Sequence, residues 1–303
     1  MNKLFGTVAL IIASLIWGSA FAAQRSAMEY ISPYAFSAIR CFVGVISLAL
    51  VILVLDKITL KRISLWGNAE SREDRRRLLT GGILCGLAIT PAMLAQQVGI
   101  CDTSAGKSGF LTALYIIIVP LLGIFFKRKT FWWLWLAVVL ALGGSFLLCY
   151  EPGQMLPGKG DMMVLACSFL YAIHILVIDR FAARTDCVRL SLLQFLTATI
   201  IAGGASLLMD DSWNLQGIID SAWFWIYCGV GSCAIAFTLQ MVAQKYLHPV
   251  AASLLMSLES VFAVISGWLF LQERLSAQEF IGCVILFIGI IIAQIPEKTK
   301  PTL

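Results

Sequence analysis

Charge is scarce in this sequence. Asp, Glu, Lys and Arg make up only 13% of its 303 residues, and there are two histidines, His174 and His248. Soluble domains carry about 25% charged residues. With 60% hydrophobic residues, a water-facing globule would expose large apolar patches and aggregate. Clustered cysteines are also missing. The nine cysteines are an odd number with no C-x-x-C pair, and seven (Cys41, Cys85, Cys149, Cys167, Cys228, Cys233 and Cys283) lie inside apolar stretches. That pattern argues against a disulfide framework or a metal site and for cysteine as a small packing residue. No H-E-x-x-H or G-x-S-x-G occurs, so the zinc-peptidase and hydrolase-elbow signatures are absent. The stretch from Cys101 to Ser108 resembles a phosphate-binding loop, but cysteine stands where the first glycine belongs. No cofactor and no metal are expected.

What the sequence has in abundance is long apolar runs. Crossing a hydrocarbon core about 30 Å thick takes roughly 17–25 mostly apolar residues. Ten such runs are present: 4–22, 34–55, 78–99, 104–126, 131–149, 162–178, 190–209, 222–243, 250–271 and 277–295. Backbone polar groups in lipid must be satisfied within the segment, so each run is expected to be a helix. The fold class expected is therefore all-α, a polytopic membrane protein of ten transmembrane helices. The first run, with Lys3 before it and Ala20-Phe21-Ala22 at its end, imitates a signal peptide. Nine similar runs follow it, which favours a first span.

The basic residues orient the chain. With the N-terminus inside, 17 of the 22 Lys and Arg residues fall in inner connections, among them Arg72, Arg75–Arg77 and Lys127-Arg128-Lys129. Arg25, Lys107, Lys159 and Arg274 fall outside, and Arg40 lies within a span. This bias places both termini in the cytoplasm of a multi-pass cell-membrane protein. The basic 56–77 loop either grips anionic head groups or anchors topology. Charge held in connections beside a bilayer, at a net +5, does not call for a nucleic-acid partner.

A Pro/Gly-containing connection over 151–160 divides the spans into two sets of five, 4–149 and 160–295. Sliding one onto the other by 154 residues places Trp17 on Tyr171, Phe21 on Ile175 and Arg40 on Gln194. Five is odd, so the second set enters the membrane from the opposite side, giving two inverted five-helix repeats. Such repeats commonly hold a binding site near the midplane between them. The fifth and tenth spans are nearly bare of polar groups. They are expected at the periphery, facing lipid or another copy in a homo-oligomer.

Polar and small residues recur at helical spacing on the other spans: Ser37, Arg40, Gly44 and Ser47; Gly82, Gly86, Thr90, Met93 and Gln97; Ser108, Thr112 and Tyr115; Gly229, Cys233, Ala236 and Gln240. Each stripe reads either as close helix packing or as cavity lining. Ionisable groups are sharper signals, since each costs about 2.5–3.5 kcal/mol at mid-membrane on insertion scales. Arg40 suits an anionic substrate group or a carboxylate partner such as Glu259, or it snorkels to the interface. Lys107 suits the cavity or the interface, and His174 a helix–helix bond or a proton relay. Glu259 suits coupling, substrate binding or a structural pair. Trp17, Gln24, Gln96, Gln97, Tyr115, Tyr171, Gln194 and Gln240 could supply neutral contacts.

Several motifs carry a family resemblance: Trp17-Gly18-Ser19-Ala20-Phe21, Ser32-Pro33 followed by Arg40, the GKSGFLTALYIIIVP stretch over 106–120, LESVFAVISGWLFLQERLS over 258–276, and Gly282 with Gly289. In this order and duplication the chain resembles the drug/metabolite transporter superfamily, in its ten-helix EamA branch. Ser260 stands where that family often has a proline after Glu259. The first repeat offers Lys127-Arg128-Lys129 where the second ends in Gln272-Glu273-Arg274. The resemblance implies inverted repeats, a central cavity lined by helices one to four and six to nine, and carriage of metabolites such as amino acids, often outward. A membrane-embedded enzyme or a non-transporting sensor or scaffold is the alternative.

Overall fold

A computed structural model describes residues 2–59, 61–67, 69, 71–125, 132–149, 157–211, 213–247 and 249–293. Lys127-Arg128-Lys129, His248 and the tail beyond residue 293 lie outside the described residues. Among the described residues the chain is all-α, with no strand. In order come α1 (Asn2–Ala27), α2 (Pro33–Thr59), α3 (Arg72–Gly99), α4 (Ala105–Thr112), α5 (Tyr115–Phe125) and α6 (Trp132–Cys149). After the connection follow α7 (Lys159–Ala182), α8 (Cys187–Met209), α9 (Leu215–Asp220) and α10 (Ala222–Tyr227). A π-helical stretch (Cys228–Ala236) joins α10 to α11 (Phe237–Ala243), and α12 (Pro249–Met256), α13 (Leu258–Leu271) and α14 (Ala277–Ala293) complete the bundle.

Several helices begin where a short polar side chain can accept the free N–H groups of a first turn. Ser71 accepts from the Asp74 N–H at 3.0 Å and donates to its carboxylate at 2.6 Å. Ser104 caps α4 through the Lys107 N–H at 3.1 Å. Asp186 caps α8 through Val188 and Arg189 at 3.0 and 3.2 Å.

Among the described residues, seven helical segments are long and apolar enough to cross a membrane: Lys3–Ala27, Pro33–Ile58, Arg72–Gly99, Ala105–Gly123, Lys159–Ala182, Cys187–Met209 and Ala222–Ala243. The other three expected spans are helical but have shorter apolar stretches, Trp135–Gly144, Leu258–Leu271 and Ala277–Gly289. The expected 250–271 run is short for a specific reason: it is two helices, broken at Ser257. Ser260, at the position where the related family often has proline, donates its hydroxyl to the Ser257 carbonyl at 2.7 Å. Such side-chain bonds compete with the helical ladder.

Packing between the two halves is reciprocal. α1 packs on α12–α13 and on the α10–π–α11 rod; α7 packs on α4–α5 and on α3. α2 meets α8, α4 meets α13, and α6 lies along α14. Small residues permit these approaches. A side chain begun at Gly18 would collide with Cβ of Phe262 and come within 2.7 Å of the Glu259 carbonyl. One begun at Gly144 would come within 2.7 Å of the Gly282 carbonyl. The first helix, which imitated a signal peptide, is thus an integral member of the bundle.

Candidate functional site

Three interruptions in the rods converge on one place. α4 stops at Thr112 and α5 starts at Tyr115; α12 stops at Met256 and α13 starts shortly before Glu259; the π-helical stretch carries Ser232. All five of these residues line one central cavity. Irregular backbone at membrane depth is tolerated where it lines such a cavity, and π-helical turns are frequent at functional sites. α1 adds Trp17, Phe21 and Gln24, one face at offsets of four and seven; α2 adds Arg40. α3 contributes Met93 and Gln96, α7 Tyr171, His174 and Ile175, and α11 Phe237 and Gln240. Among the described residues, α6 and α14 contribute nothing to the lining.

The lining is shielded from outside. Arg40 is 2% exposed, Glu259 4% and His174 0%. Arg40 donates from Nη1 to Gln24 Oε1 at 2.6 Å, and its guanidinium carbon lies 5.4 Å from the Phe36 ring centroid. Nε and Nη2 have no partner. That pair is the side-on edge with which a guanidinium grips a carboxylate through two parallel bonds. Glu259 stands beside the Tyr115 phenol, with Oε1 unpartnered. Among the described residues, Arg40 and Glu259 line the same cavity without forming an ion pair. Trp17 Nε1, His174 Nδ1 and Gln240 Oε1 are also buried and unpartnered. Unmet polar atoms are costly in a dry interior, and gathering five residues that carry them around one cavity is what a polar ligand would satisfy.

The remaining groups hold the lining in shape. His174 Nε2 bonds Gln194 Oε1 at 2.7 Å, so Gln194 lies behind the wall. Phe237 makes edge contacts with Trp17, His174 and Phe195, at centroid separations of 4.9, 5.9 and 5.5 Å. Gln96 donates to Thr112 at 3.1 Å and accepts from the Tyr171 hydroxyl at 3.3 Å.

Of the residues singled out in the sequence, Arg40, His174, Glu259, Trp17, Gln24, Gln96, Tyr115, Tyr171 and Gln240 line the cavity. Gln97, Gln194 and Lys107 do not. Gln97 donates to the Gln24 carbonyl at 3.4 Å and to the Met28 sulfur at 3.2 Å. Lys107 pairs with Asp161 at 2.8 Å away from the cavity. Phe237 and Met256 escaped sequence reading because they are apolar, yet each sits three residues before a polar liner, Gln240 and Glu259. Ser232 escaped because the π-helical stretch departs from a 3.6-residue period. Most small residues in the stripes are packing groups: Gly82 and Gly86 fit against Leu193 and Thr197 of α8, and Gly44 against Cys233.

Gln24 holds Arg40, so Gln24→Leu is expected to weaken binding of a carboxylate ligand in the cavity about ten- to a hundredfold. That matches a lost hydrogen bond to a charged group, about 1.5–3 kcal/mol. Equilibrium titration of the purified protein with labelled carboxylates checks it, and an unaltered Kd would release Gln24 from this role.

Fold and cavity together define a multi-pass α-helical membrane protein with a buried polar chamber between its two halves. The profile of the EamA-like transporter family matches residues 4–150 and again 158–294. The chain belongs to that family. It is 22% identical over 306 aligned positions to an uncharacterized transporter of Archaeoglobus fulgidus, covering 97% of this chain and 87% of the relative. It is 24% identical to the uncharacterized transporter YwfM of Bacillus subtilis, covering 96% and 94%. A solved crystal structure superposes with a TM-score of 0.68 at 16% identity, covering 95% of this chain and 96% of the other, a likeness of fold.

Proposed function

We propose that this protein carries small zwitterionic metabolites, amino acids or related compounds, outward across the cytoplasmic membrane by alternating access. The observation that carries the reading is the cavity with an unpartnered guanidinium edge at Arg40 and an unpartnered carboxylate oxygen at Glu259. A ligand bearing both a carboxylate and an ammonium satisfies both groups, and neither needs the other. Ten spans in two inverted repeats follow if α6, α12–α13 and α14 cross the bilayer with the seven longer segments. The reciprocal packing of the halves supports that arrangement, as does the doubled family match. With 17 of 22 basic residues then on one face, both termini are cytoplasmic. Gln97, Gln194 and Lys107 act behind the cavity in this reading, and Arg40, His174, Glu259, Trp17, Tyr115, Tyr171 and Gln240 touch the substrate.

Metabolite profiles of a deletion strain and an overexpressing strain test the proposal. A small amine-carboxylate should be depleted in the overexpressing cells and enriched in their medium, with the reverse on deletion. Identical pools in both strains would contradict export.

A further inference from the structure

Two buried ionic clusters sit at opposite ends of the bundle, and each ties the first half to the second. At one end Lys107 Nζ on α4 lies 2.8 Å from Asp161 Oδ2 on α7, and Thr103 Oγ1 donates to Asp161 Oδ1 at 2.8 Å. The two charged side chains are 9% and 3% exposed. Glu273 adds a second tie there, accepting from the N–H groups of Ala105 and Gly106 at 2.9 and 3.2 Å. At the other end Arg189 Nη2 on α8 donates to both carboxylate oxygens of Asp56 on α2, at 2.6 and 2.8 Å, and to the Ser64 carbonyl at 2.8 Å. Its Nη1 donates to Asp186 at 2.7 Å. Asp161 lies in the first turn of α7 and Asp186 just beyond its last. A helix of 24 residues rises about 36 Å. The clusters therefore lie on opposite faces of a membrane, with the cavity between them.

Buried ion pairs are weak ornaments of stability, since desolvation offsets most of the attraction. They are well suited to reversible closure. Shut, they demand one geometry and exclude water; parted, both partners are rehydrated, which an exposed apolar seal could not match. Neither cluster contributes to the cavity lining. Each instead ties the two halves together at one end of the bundle.

We infer that Lys107–Asp161, reinforced by Glu273 on the start of α4, is the gate of one face, and Asp56–Arg189, reinforced by Asp186, the gate of the other. This rests on the transport reading. Both clusters are formed in this structure, and in a transport cycle one parts while the other holds.

The test joins each gate covalently in full-length protein. Cysteine pairs replacing Lys107 and Asp161, or Asp56 and Arg189, are reacted with a short bis-methanethiosulfonate linker that dithiothreitol cleaves. Single-cysteine variants control for the native thiols. Flux of a radiolabelled amino-acid mixture is then read in proteoliposomes before linking, after it, and after cleavage. Linking either pair should lower flux about tenfold or more, and cleavage should restore it, because a cycle that cannot leave one state cannot turn over. Undiminished flux through linked protein overturns the gates and leaves transport standing; no flux in wild-type protein sinks the transport reading itself. Should a cysteine pair fail to fold, Asp161→Asn keeps the side chain's shape while removing its charge. Amide hydrogen exchange over 101–108 should then quicken about threefold or more with 183–190 unchanged, and equal exchange at both ends overturns the assignment.

Discussion

Replacing Arg40 with glutamine is expected to lower flux about 100-fold while leaving the protein folded and no less stable. Removing a two-bond grip on a carboxylate in a dry site costs about 2–5 kcal/mol when a charged group is left without its mate. Folding behaves differently. Arg40 is buried with one side-chain bond, to Gln24, and two unpartnered nitrogens, so desolvating it opposes folding. A residue that burdens the fold and is kept for the ligand should show activity and stability moving apart. Arg40→Lys should rescue little, because an ammonium cannot reproduce the side-on geometry. Flux per folded molecule and a thermal melt of the same preparation decide the matter. Lower melting with undiminished flux would make Arg40 structural. Glu259→Gln should likewise weaken transport with folding preserved, and flux indistinguishable from wild type at every pH would remove Glu259 from the site.

Gly18→Val is expected to have the largest effect on folding. The added Cβ would overlap Phe262 and stand 2.7 Å from the Glu259 carbonyl and 2.9 Å from the Ala263 nitrogen. Backbone on the far side cannot step aside as a flexible side chain can. α1 would be pushed off α13, carrying Trp17 with it out of the cavity wall. Overpacking typically costs about 1–3 kcal/mol and more where backbone must move, so the variant should melt well below wild type or fail to purify as a single species. Gly143→Val is the control, because nothing lies within 4 Å of the Cβ it would add. Equal melting of the two variants would mean that the α1–α13 contact is not close.

The membrane class and the helical fold were legible because lipid leaves few alternatives: scarce charge and long apolar runs admit little else. The cavity was legible in outline for a related reason. Polar groups that lipid would reject, such as Arg40, His174 and Glu259, had to turn inward, and the 154-residue offset that set Trp17 on Tyr171 and Phe21 on Ile175 picked four residues that line the same space. Distances between helices were not legible. The sequence offered Lys107 either the cavity or the interface, but only the fold brings Asp161 to it from 54 positions away. Gln194 shares its repeat position with Arg40, yet it lies one layer back, holding His174. Breaks in the helices were hidden too, since the bond from Ser260 to the Ser257 carbonyl leaves no mark as strong as a proline would.

Counterflow in liposomes containing only the purified protein bears most directly on whether the chamber moves solute. Vesicles loaded with a panel of unlabelled amino acids, one per preparation, should transiently accumulate the labelled form for at least one of them, and Arg40→Gln vesicles should not. Equal labels in protein-containing and empty vesicles across the whole panel, under imposed gradients as well, would show that this chain does not carry such solutes.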